Sequence, residues 1–188
     1  MNIEDVAHIL RASKAITGET AFVMVGSQAI LAQFPDAPDV LKMSMEIDIW
    51  PRFKPEMSEV IEGALGADSS FHGTFGYCAD GVGPETAILP DGWGARCVEL
   101  KGHPLLEGAI GVCPEIHDLC AAKLMAFREK DRDWVRAAID AGLARPDTLE
   151  ERLEEVSRGN PANKAAALSW VRGGKDHDQV SETSDGPE

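Results

Sequence analysis

Two carboxylates, Glu46 and Asp48, interrupt the otherwise largely apolar run Met43-Ser44-Met45-Glu46-Ile47-Asp48-Ile49-Trp50. Read as a strand, this run sends Glu46 and Asp48 out of one face while Ile47 and Ile49 enter a core. Neighbouring carboxylates repel and raise each other's proton affinity, and a divalent cation removes that conflict. An all-oxygen donor pair suits a hard ion, magnesium or manganese. A solvated face on an edge strand would carry the same pattern, so the pair alone does not decide the matter.

The turn upstream does more. Thr20-Ala21-Phe22-Val23-Met24-Val25 is a continuous β-favouring run that stops at Gly26-Ser27 and gives way to a short helix, Gln28-Ala29-Ile30-Leu31-Ala32-Gln33. Glycine lets a backbone approach a ligand closely, and amides at a helix start attract anions. Ser27 can cap the helix or bind a phosphate oxygen. A phosphate-binding turn beside a metal-binding strand describes a site for a nucleoside triphosphate with its divalent cation.

Gly-Ser followed by [Asp/Glu]-x-Asp resembles the signature of the DNA polymerase β-type nucleotidyltransferase superfamily. More closely, Val25-Gly26-Ser27-Gln28-Ala29-Ile30-Leu31 and Ser44-Met45-Glu46-Ile47-Asp48-Ile49 resemble a family of small bacterial nucleotidyltransferase-like proteins related to AbiEii-type toxins of toxin–antitoxin systems. Asp118-Leu119-Cys120-Ala121-Ala122-Lys123-Leu124 and Arg128-Glu129-Lys130-Asp131 resemble its second block, so the likeness spans most of residues 20–155. The resemblance implies a magnesium-dependent transfer of a nucleotidyl group to an acceptor hydroxyl. The related toxins imply an RNA acceptor such as tRNA; a protein or small-molecule acceptor is equally open, and a cognate antitoxin is an implied partner. It also implies a third catalytic carboxylate on a neighbouring strand, for which Glu99 in Cys97-Val98-Glu99-Leu100 is the candidate. Eighteen residues separate Ser27 from Glu46, more than the superfamily's usual spacing, and the first ligand position is Glu rather than Asp.

Lys123 is flanked by Ala121, Ala122, Leu124 and Met125, so its ammonium needs a snorkelling route or a partner. Lys123, Phe127, Lys130 and Trp134 fall at offsets of four, seven and eleven, close to one helical face. Lys123, Lys130 and Arg128 are therefore the candidates to meet the triphosphate, and Asp118 to cap or orient the helix. Cys113, His117 and Cys120 have near-metal spacing but lack a fourth zinc ligand, so buried thiols and a surface histidine are expected. His72 is a lone loop histidine.

The elements that must position these groups read as helix 3–16, strands 20–25 and 43–50, and a helix at 56–65. Meandering strands follow near 74–78, 85–89, 96–100 and 109–113, then helices at 115–127, 129–141, 147–157 and 161–171. The expected fold class is α+β: a nucleotidyltransferase-type mixed sheet flanked by helices, with a helical C-terminal half. Residues 1–113 would form the core, 114–172 the helical region packed on it, and 173–188 a disordered acidic tail. A formal charge of -14, from 32 acidic and 18 basic residues, argues against a general nucleic-acid binder. The acidic N-terminus lacks the blocks of a signal peptide and no apolar run could span a membrane, so a cytoplasmic protein with free thiols is expected. The alternative function is a catalytically inactive protein of this fold that binds a nucleotide or a partner.

Overall fold

The computed structural model describes the backbone of residues 1–182 and the side chains of residues 1–173. Helix α1 (Ile3–Thr17) opens the chain. Asn2 caps it by accepting from the amides of Glu4 and Asp5 while the Asp5 carboxylate accepts from the Asn2 amide, and Gly18 ends it in the left-handed region. Strand β1 (Ala21–Val25) follows, then a 3₁₀ helix (Ser27–Ala32), a loop, and β2 (Glu46–Pro51). Next come α2 (Ser58–Leu65), α3 (Ser70–Phe75), β3 (Cys78–Gly81), α4 (Trp93–Arg96), β4 (Val98–Leu100) and β5 (Ile110–Cys113). The remainder is helical: α5 (Ile116–Ala126), α6 (Glu129–Asp140), α7 (Pro146–Glu154) and α8 (Pro161–Glu182).

The strands form one mixed sheet in the order β3-β2-β1-β5-β4. β1 runs antiparallel to β2 and parallel to β5, while β2 runs parallel to β3. The mixed sheet flanked by helices, with a helical C-terminal half, is the expected fold class. The sheet is not a meander, however. Parallel neighbours require crossovers, and α2 and α3 supply the one between β2 and β3.

Three local expectations are corrected. The segment around 74–78 divides into the end of α3 and the start of β3, residues 85–89 form a loop, and the second strand begins at Glu46 rather than Met43. Gly and Pro in 83–92 deny that loop a ladder partner. The expected tail at 173–188 overlaps the last turns of α8, and residues 183–188 lie outside the described residues.

Alternation sorts the sheet into two faces. Phe22 and Met24 of β1 and Ile47 and Ile49 of β2 are fully buried with Ile9 and Leu10 of α1 and Ile61 of α2. Val23, Val25 and Trp50 occupy the opposite face in a smaller cluster with Leu89, against which Ala122 of α5 packs. Burial of each such side chain stabilises the fold by roughly 1.5–3 kcal/mol. Asp48 pairs across from Val25, so it belongs to this second face, at the end of the strand where the apolar cluster stops. No helix among the described residues is long and apolar enough to cross a membrane.

Candidate active site

The parallel register of β2 and β3 places Asp48 opposite Asp80 and Glu46 opposite Cys78. Residues opposite one another share a face, so Glu46, Asp48 and Asp80 converge, each offering a carboxylate oxygen within 4.8 Å of the others. Among the described residues this is the one group of three or more His, Cys, Asp or Glu side chains able to hold a metal ion. The third carboxylate is thus Asp80. Glu99 sits on β4 at the far edge of the sheet, where its carboxylate accepts from Lys101 Nζ at 2.8 Å. Sequence reasoning passed over Asp80 because the expected strand stopped at Cys78. The available signal was a lone Asp two residues beyond a buried Cys, in Cys78-Ala79-Asp80-Gly81.

The electrostatics show what the triad lacks. Burial, then the Asp80 and Glu46 charges, raise the Asp48 pKa to about 6, with Lys123 and Arg128 pulling against them. Asp80 is raised as well, by burial, by Glu46 and Glu62, and by a hydrogen bond with Glu62. Three carboxylates clustered in this way form a donor set matched to a divalent cation: all oxygen, close together, and short of positive charge.

Gly26 has φ +72, and a Cβ on it would overlap the Asp48 carboxylate. Glycine is therefore required there twice, for the backbone and for the room it leaves Asp48. Ser27 does not cap the 3₁₀ helix, which has no side-chain cap. Its hydroxyl instead accepts from Lys123 Nζ at 3.0 Å.

Lys123 reaches this point from α5, with its ammonium 3.8 Å from the Asp131 carboxylate and 4.7 Å from the centre of the Trp134 ring. Burial pushes the lysine below its ordinary value, with Asp131 the largest opposing influence. Asp131, itself buried, also accepts two bonds from Arg128, at 2.6 and 3.2 Å. Arg128 is in turn pushed up, first by that bonding. Asp131 thus aims two cations at the cleft, a role its place in the Arg128–Asp131 block did not disclose.

α5 and α6 are separate helices, broken at Phe127 in the left-handed region. The single face expected for Lys123, Phe127, Lys130 and Trp134 therefore does not exist. Lys123, Lys130 and Trp134 still border one cleft, brought there by the bend, while Phe127 lies under Arg132. That cleft, about 550 Å³, also takes in Gly26, Ser27, the three carboxylates and Arg128. Every expected site residue except Glu99 meets there.

The remaining candidates are structural. His117 Nδ1 meets Glu115 at 2.8 Å, and its Nε2 accepts from the Arg145 amide at 2.9 Å. Cys113 and Cys120 are buried thiols whose surroundings push their pKa values up, and His72 bonds to the Ala67 carbonyl.

A mixed sheet with three carboxylates on adjacent strands, facing a Gly-Ser turn and a half-buried lysine, has the layout of a nucleotidyltransferase-type domain. The family model described as Nucleotidyltransferase of unknown function (DUF6036) matches residues 3–170, and the chain belongs to that family. Nucleotidyl transfer is the kind of function this membership supports. No curated protein and no solved structure matches the chain significantly.

Proposed function

We propose that the protein is a divalent-metal-dependent nucleotidyltransferase that moves a nucleotidyl group from a nucleoside triphosphate to an acceptor hydroxyl. The observation that carries this reading is the convergence of Glu46, Asp48 and Asp80 within 4.8 Å, in the same cleft as Ser27, Lys123 and Arg128. The cleft volume is within the usual range for a small-ligand site.

Glu46, Asp48 and Asp80 would hold the cation. When bound, magnesium or manganese would neutralise phosphate charge and ease deprotonation of the acceptor. The Ser27 hydroxyl and the Gly26–Ser27 backbone would position the outer phosphates. Lys123 and Arg128, held by Asp131, would offset the charge that accumulates on departing pyrophosphate. Lys130, exposed on the cleft wall, would add to that field. Asp80, on the strand beside Asp48, would take the proton of the attacking hydroxyl. Three clustered carboxylates support this reading over that of an inactive, binding-only protein of the same fold.

Calorimetry with each of the four ribonucleoside triphosphates, with and without magnesium, tests the reading. Binding is expected only with the metal and is lost in Asp48→Asn and Asp80→Asn. Lys123→Met, which removes a charged hydrogen-bond donor, weakens it by about 10- to 100-fold. Equal binding by the wild type and both carboxylate variants would overturn the assignment.

A further inference from the structure

The loop between the 3₁₀ helix and β2 forms one lip of the cleft, and its chemistry differs from that of the opposite wall. Val40 and Met43, which line the cleft, are 56% and 74% exposed. Asp36, Asp39 and Glu46 are exposed among them. The lip is fixed in place. Buried Gln28 donates from Nε2 to the carbonyls of Lys42 and Ser44 at 3.0 and 2.7 Å. Trp134 Nε1 donates to the Leu41 carbonyl at 3.0 Å. Apolar side chains held rigidly in water beside a cleft mark a docking surface.

We propose, resting on the nucleotidyltransferase reading above, that the acceptor is a protein: a Ser, Thr or Tyr hydroxyl within a Lys/Arg-rich segment that also carries an apolar anchor. The anchor would lie on Val40 and Met43, and the basic residues would face Asp36 and Asp39. A polynucleotide acceptor needs several phosphates neutralised by a run of cations. The lip offers Asp36 and Asp39 instead, with its one lysine, Lys42, held 3.6 Å from Asp39, on a chain with a formal charge of -14. At the cleft, Asp131 holds Lys123 and Arg128 toward the triphosphate, and Lys130 adds a single exposed cation rather than a run. Elsewhere Arg11, Lys54, Lys101 and Arg172 are each paired with a carboxylate of their own chain. Charge complementarity therefore selects a basic protein.

The step balances simply. The acceptor oxygen forms a bond to the α-phosphorus, the bond from that phosphorus to the bridging oxygen breaks, and pyrophosphate leaves. The hydroxyl proton passes to the Asp80 carboxylate.

The test uses the full chain, magnesium and triphosphates labelled at the α-phosphate. The acceptors are arrayed peptides bearing Ser, Thr or Tyr with Lys/Arg flanks and a Leu or Met anchor, a matched set with Glu flanks, and total RNA. Basic peptides are expected to be labelled at least about tenfold better than acidic ones, with the preference weakening as salt rises. Reversing charge on the lip with Asp36→Lys/Asp39→Lys, both exposed and outside the cleft lining, is expected to shrink that preference by about tenfold. A merely destabilised protein would lose labelling of both sets alike. Label in RNA, equal labelling of both peptide sets, no labelled acceptor, or an unchanged preference in the charge-reversed variant each overturns the proposal. Calorimetry run in parallel separates the two readings. Intact magnesium-dependent triphosphate binding leaves the nucleotidyltransferase assignment standing, and its absence removes both.

Discussion

At Asp48, burial and two neighbouring carboxylates act against the attraction of Lys123 and Arg128, and the pKa rises from 3.8 to about 6. An acid whose folded pKa lies above its unfolded one binds more protons when folded, so the protein loses stability as pH rises between those values. Below the unfolded value both states are protonated and the penalty vanishes; above the folded value it is fully present. Asp48→Asn removes the charge and keeps the shape. The metal-free variant is therefore expected to be more stable than wild type by roughly 1–3 kcal/mol at pH 7, with little difference at pH 3. Urea unfolding at the two pH values measures this, and a variant less stable at pH 7 would contradict it. The same change is expected to abolish triphosphate binding, so the proposed function would keep this conflict at a cost in stability.

Among the elements, α5 has the hardest placement. Ile116, Leu119, Cys120, Ala121, Leu124 and Met125 bury it on most sides, and Lys123 must still emerge at the cleft. Orientation comes from Asp118, which is fully buried and accepts from Arg96 Nε and Nη2 at 2.9 and 2.8 Å. Arg152 of α7 approaches the same carboxylate at 3.5 Å, so α4, α5 and α7 are joined at one charge. Asp118→Ala takes the buried carboxylate from two arginines that keep only the Glu155 carboxylate, at 3.0 and 3.3 Å, and is expected to cost about 2–3 kcal/mol, measured by chemical denaturation. A loss under 1 kcal/mol would mean that packing alone positions α5. The sequence showed that Asp118 could orient this helix but not what it would meet. Arg96 lies 22 positions away, and nothing local to either residue encodes the pairing.

For the molecule as a whole, a cation that binds only the folded triad stabilises it by mass action. Magnesium at about a hundred times its dissociation constant would add about 2.7 kcal/mol. The gain is expected to be larger at pH 7 than at pH 5, because protons compete for Asp48 and Asp80, and to disappear in Asp80→Asn. Thermal unfolding across a magnesium titration reads it, and an equal shift in wild type and Asp80→Asn would locate the effect elsewhere.

Along the chain, the readable part was whatever a few adjacent residues determine. The alternation over residues 46–50 put two carboxylates on one face and Ile47 and Ile49 in the core. The run into Gly26 placed the turn, and the apolar neighbours of Lys123 marked it as an ammonium in need of a partner. These follow from strand and helix periodicity, which is a property of consecutive residues. Strand order was not readable. Glu99 and Asp80 are each an acid near the end of a short β-favouring segment, and by sequence either could be the third carboxylate. Which one reaches Asp48 depends on β3 pairing with β2 while β4 lies beyond β5, and that order is fixed by how α1, α2 and α5 cover the two faces of the sheet. The break at Phe127, which turns α6 so that Asp131 and Trp134 face Lys123, is likewise a packing outcome. The sequence by itself determined which groups were available and which face each would leave. Tertiary structure alone decided which of them would meet, because contact across the sheet is settled by the burial of the whole core rather than by any local run.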